Sequence, residues 1–171
     1  ETEDGDTETE DGETEEGGSE TGDPSAIPTE GLWSLAVPSV LNDSCNLQSV
    51  QDVTTFMPTE FELSGSSSTG FLLDGELSCS MDGGAFTCDE ESVMEVVPSL
   101  DGNGDMDAQL SISVISSGLV LGTEEMTMKY EVVLQECTSV SNPYNESGDC
   151  WLLELVMAFP CYLELGSTAS L

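Results

Sequence analysis

The sequence predicts an all-β domain, either an up-and-down antiparallel β-barrel or a β-sandwich, behind a disordered acidic N-terminal tail. Three observations carry this. Apolar and polar residues alternate with a period of two through most of the chain. Clusters of Gly, Ser, Asn and Asp separate the alternating runs at short, regular intervals. The one stretch with a weak helical pattern, residues 89–97, carries the β-branched Val93, Val96 and Val97, which disfavour a helix.

Residues 1–30 hold 13 of the chain's 35 acids. Up to Gly22 they are almost only Glu, Thr, Asp, Gly and Ser, and the first apolar side chain is Ala26. Such a segment cannot bury enough surface to offset its ordering entropy, and its charges repel. It reads as an extended tether or a solubilising tail, stiffened at its end by Pro24 and Pro28. Residues 31–171 then form one domain of ordinary size. The chain opens abruptly on Glu1 and shows no membrane-length apolar run, so the reading expects that a targeting segment has been removed.

Strands follow in order. Gly31, Leu32 and Trp33 open the first. Phe61 and Leu63 alternate with Glu60, Glu62 and Ser64. Residues 77–88 make a hairpin about Gly83-Gly84, whose positive-φ requirement suits a two-residue primed turn. That register opposes Cys79 to Cys88, and puts Leu77, Cys79, Met81, Phe86 and Cys88 on one face. Leu110, Ile112 and Val114 alternate with Ser111 and Ser113. Met126, Met128, Tyr130, Val132 and Leu134 face one way, with Thr127, Lys129, Glu131, Val133 and Gln135 facing the other. Residues 151–165, apolar on both faces apart from Glu154 and Glu164, read as a central or closing strand bent at Pro160.

Six cysteines in a small, acidic, turn-rich chain favour disulfides and an oxidising compartment. Zinc would want C-x-x-C pairs or His, and a catalytic thiol would want a nearby cation; none is at hand. Cys79–Cys88 follows from the hairpin register. Cys137–Cys150 would staple the loop 138–149, and elimination leaves Cys45–Cys161.

Composition excludes more than it identifies. The formal net charge is -34, with one Lys, no Arg and no His. Nucleic acid and anionic membranes are repelled. The usual acid–base and nucleophile-activating groups are missing, so no catalytic residue is assigned and the chain reads as a non-enzyme. Glu62 and Glu131 could pair as glycosidase carboxylates only if their outward faces met. Acids scattered over residues 31–171 are also what adaptation to a saline habitat would produce.

Asp101, Asn103, Asp105 and Asp107 alternate in a Gly-bent loop, a pattern suited to Ca²⁺. The loop departs from an EF-hand, with Met106 at the Gly position and Ile112 at the bidentate acid. A plain polar turn is the other reading. No other cofactor is expected. Met81, Met94, Met126, Met128 and Met157 are expected to face inward, as core filling or as the soft lining of an apolar pocket. Asn42-Asp43-Ser44 and Asn145-Glu146-Ser147 fit the N-glycosylation acceptor.

The Gly31-Leu32-Trp33 opening resembles the first strand of lipocalin-like barrels, which implies an up-and-down barrel. The basic residue those barrels pack over the Trp has no counterpart here, since there is no Arg and Lys129 lies mid-strand. In layout the chain also resembles secreted lipoproteins of predatory and social Gram-negative bacteria, a Thr/Glu/Gly/Asp tether followed by a Cys-containing β domain. That likeness implies an extracellular or cell-envelope place and a lipid anchor upstream of residue 1. Three functions stay open: a non-catalytic surface module that binds or supports, a carrier of a small apolar ligand in a closed barrel, and a subunit of an extracellular assembly, including a homo-oligomer.

Overall fold

The computed structural model describes residues 22–49, 52–97, 108–139, 150 and 157–171. The expected unstructured tail, residues 1–21, lies outside them, as do the calcium-loop residues Asp101, Asn103, Asp105 and Asp107.

Ten strands form in chain order: β1 Gly31–Leu35, β2 Ser39–Asp43, β3 Glu60–Ser67, β4 Gly70–Leu73 and β5 Leu77–Asp82, then β6 Ala85–Cys88, β7 Glu91–Val97, β8 Ala108–Val120, β9 Glu125–Ser139 and β10 Cys161–Ser170. Their order in the sheet is β1-β3-β4-β5-β6-β8-β9-β10, every neighbour antiparallel, and β10 pairs back to β1. The sheet is therefore a closed eight-stranded barrel, which removes its free edges. Of the two architectures read from the sequence, the barrel is the one formed. β2 adds to the outer side of this path along β10, and β7 along β8.

The hairpin forms in the register that its turn demands. Asp82 opposes Ala85, Met81 opposes Phe86 and Cys79 opposes Cys88. Gly83 and Gly84 take φ of 59° and 86°, the left-handed conformation that glycine adopts without cost. Gly118 serves a different end. It lies opposite Phe86, whose ring occupies the space that a Cβ would need.

Trp33, Leu63, Val120, Met126, Leu163 and Leu165 are almost wholly buried inside the barrel. Phe71 and Phe86 meet edge to face with centroids 5.1 Å apart. Trp33 lies nearly parallel to Phe61, and its Nε1–H donates to the Thr29 carbonyl at 2.9 Å. The β3–β4, β5–β6 and β8–β9 turns all fall at one end of the barrel. Residues 22–30 cross that end. Asp23 N–H donates to the Val120 carbonyl and Thr29 N–H to the Thr123 carbonyl, while Ala26 and Pro28 are buried. The folded unit thus begins at Gly22, inside the segment that composition alone assigns to the tether: two apolar side chains suffice to plug a barrel end.

Three disulfides brace the fold: Cys79–Cys88, Cys137–Cys150 and Cys45–Cys161, the pairing expected. They place the chain in an oxidising compartment. Among the described residues no helix is long and apolar enough to cross a membrane.

Two side-chain expectations are corrected. Met94 is 57% exposed, because β7 lies beside the β8–β9 ribbon beyond the barrel, where there is no interior to face. Ser113 was expected to face solvent but is 3% exposed; a register shift between Ser111 and Ile112 interrupts the alternation, and Gln135 covers Ser113 with a 3.0 Å hydrogen bond. Met126 and Met128 are buried, and Met81 and Met157 pack against the core. The long final strand begins only at Cys161, just after Pro160, and it is the closing strand.

Loop size ranks the disulfides. Cys45–Cys161 spans 116 residues and Cys79–Cys88 spans 9. Chain entropy then assigns about 5 kcal/mol to the first and about 3 kcal/mol to the second. Urea unfolding of the two double alanine variants is expected to show that order.

Candidate functional site

The end opposite the plug is open. There β3 begins, the β4–β5 turn closes, and β6 leads out to β7. A cavity of about 470 Å³ enters the barrel here, within the range that small-molecule sites occupy. Its walls are Phe56, Met57, Phe61, Leu73, Leu77 and Met128, drawn from β3, β4, β5, β9 and the segment before β3. Alternation explains most of them. Phe61, Leu73 and Met128 are inward residues whose strands continue the core below.

The segment before β3 forms a lid. Residues Val53–Phe56 make one 3-10 turn, capped by Asp52, whose Oδ1 accepts from the Thr54 N–H at 3.1 Å. The Thr54 hydroxyl and then its backbone N–H hold the Asp52 carboxyl below its ordinary pKa. Val53 and Met57 anchor the lid in the core, while Phe56 stays 39% exposed over the mouth. Upstream, Cys45–Cys161 ties this connection to β10, and Ser44 exchanges hydrogen bonds with Tyr162 beside it. The mouth is therefore roofed by a stapled segment.

The rim is acidic. Asp74, Glu76 and Glu91 line the cavity together with Tyr130 and the buried Ser116. Asp74 has φ of 52° in the β4–β5 turn, and its Oδ1 accepts from the Glu62 N–H at 2.8 Å. Burial raises the pKa of the Tyr130 phenol, and the charge of Glu91 raises it further. No lysine or arginine of the chain reaches these acids. The only one, Lys129, lies on the outer face, 2.6 Å from Glu164 and 3.3 Å from Glu131. Those partners, Glu164 first, raise its pKa, so its contribution is complete below the ordinary lysine range and is lost as pH rises through the raised value.

Glu62 is exposed, and Glu131 is engaged by Lys129 on the outer face; neither lines the cavity. Among the described residues no three His, Cys, Asp or Glu side chains gather as a metal site. Of the methionines expected as pocket lining, Met128 alone lines the mouth. Sequence reading missed the rim because Asp74, Glu76 and Glu91 are turn and strand-end acids like many others in the chain. Compared with known proteins, the chain matches no family model, no curated protein and no solved structure. A closed, disulfide-braced barrel with one open end is an architecture suited to a binding or carrier domain.

Tyr130 offers a test of this geometry. Its neutral form is favoured in the folded state, so the associated stability is present below about pH 10 and falls as pH rises from there through the raised value. In Glu91→Gln the Tyr130 pKa is expected to fall, yet to stay above that of a free tyrosine because burial remains. Ring-carbon NMR titration of Tyr130 reads this directly; an unchanged pKa would place Glu91 away from the phenol.

Proposed function

We propose that this is a non-catalytic domain that holds a small, largely apolar molecule in the mouth of its barrel. The supporting observation is the cavity of about 470 Å³ walled by Phe61, Leu73 and Met128 at the open end, facing away from the plugged end. Aromatic, aliphatic and thioether surfaces favour an apolar body through buried area and dispersion. The chain has no histidine or arginine to activate a nucleophile, and the rim acids are exposed rather than held in a dry pair.

Placement outside the cytoplasm accords with the three disulfides. The 13 acids of residues 1–30 suit a tether that holds the barrel away from a surface and from its neighbours. An anchored chain would bear its ligand at an envelope, and a released one would carry it.

A neutral fluorescent probe such as N-phenyl-1-naphthylamine is expected to bind with a single site and a blue-shifted emission. Leu77 is partly exposed at the mouth, so Leu77→Trp fills the cavity from its rim without disturbing the core beneath. That variant is expected to retain its melting temperature and lose at least about tenfold in affinity, the effect of roughly 1.4 kcal/mol. Unchanged probe binding in Leu77→Trp would exclude the mouth as the site.

A further inference from the structure

We propose that the ligand carries a cationic ammonium head on its apolar body, an inference that rests on reading the mouth as the binding site. The cavity has two chemically distinct parts. Apolar walls lie within, and three carboxylates, Asp74, Glu76 and Glu91, line the same opening. A ligand entering this mouth strips water from those carboxylates. Burying an ionised group without a partner is costly. The chain cannot supply the partner, because Lys129 is its single Lys or Arg and is already held by Glu164 and Glu131 outside the barrel. The ligand must therefore bring the positive charge, or bind against the desolvation of the rim.

The aromatic content of the same opening points the same way. Phe56, Phe61 and Tyr130 line it, and ring faces beside carboxylates form the setting in which quaternary and protonated amines are held. An anionic head would meet three like charges, and a neutral one would leave them unpaired. The charge of Glu91 is already felt at Tyr130, which places a carboxylate near an aromatic ring at the rim. Ser116, 5% exposed, adds a hydroxyl to the wall beneath.

The test displaces N-phenyl-1-naphthylamine from the full chain with decyltrimethylammonium, decanol and decanoate, each below its aggregation concentration. The tails match, so the heads alone differ. The ammonium is expected to displace at about tenfold lower concentration than decanol, with decanoate weakest. In the triple variant Asp74→Asn, Glu76→Gln, Glu91→Gln, the ammonium and the alcohol are expected to become equal; Asn at 74 keeps an acceptor for the Glu62 N–H. The variant Glu124→Gln, Glu125→Gln alters acids at the plugged end and is expected to keep the ammonium preference.

Equal displacement by ammonium and alcohol in the unaltered chain would overturn the cationic head while leaving an apolar site in place. A preference that survives the triple variant, or that vanishes in the Glu124, Glu125 variant, would assign it to the overall charge of the protein and overturn the inference. Failure of the probe itself to bind would remove the site, and both readings with it.

Discussion

A chain with one lysine against 35 acids cannot neutralise carboxylates inside its fold, and the rest of the structure follows from that. A buried charge needs a partner, and here almost none exists. Among the described residues the only buried polar side chains are Ser113 and Ser116, and the core is otherwise apolar or disulfide-bonded. Alternating strands meet this demand well, because every second side chain is delivered to water by the backbone itself. Closing the sheet into a barrel extends the arrangement by leaving one apolar inside and one acidic outside. Lys129 lies on that outside, between Glu131 and Glu164, which are directly opposed across β9 and β10 and would otherwise repel.

The same constraint gives cross-links their place. Ion pairs are not available to hold the connections, so covalent bonds hold them instead. Cys79–Cys88 fixes a hairpin that turn chemistry already specifies. Cys45–Cys161 does more, since it joins the connection above the mouth to the strand that closes the barrel. Plug and lid differ accordingly. The plug is held by backbone hydrogen bonds and two buried side chains, Ala26 and Pro28. The lid is held by Val53, Met57 and, upstream, a disulfide. One end is sealed and the other is roofed but open.

How much of this was legible depended on whether the signal was local. The hairpin at Gly83-Gly84 carried its own register, so turn, alternation and cysteine spacing agreed. The faces of β3 and β9 were equally plain. A period of two states that a strand has two faces, but not what lies against each. Met94 therefore looked inward on a strand that lies beyond the barrel, and Ser113 looked outward beneath Gln135. Ala26 and Pro28 looked like part of a tether because their burial depends on turns up to about a hundred residues away, at Gly84 and Val120. The mouth was the least visible feature. Phe56, Leu73 and Met128 converge only once the barrel closes, and nothing in their own neighbourhoods marks them as one site.

The central claim is that the open end, and not the outer surface, receives a ligand. Methyl NMR of the full chain during titration with a neutral apolar probe tests it most directly. The account predicts saturable shifts at Met128, Leu73 and Leu77, with Val120 and Leu165 in the sealed core unmoved. Shifts confined to exposed outer side chains such as Val37 and Leu41, with the mouth methyls unmoved, would contradict it.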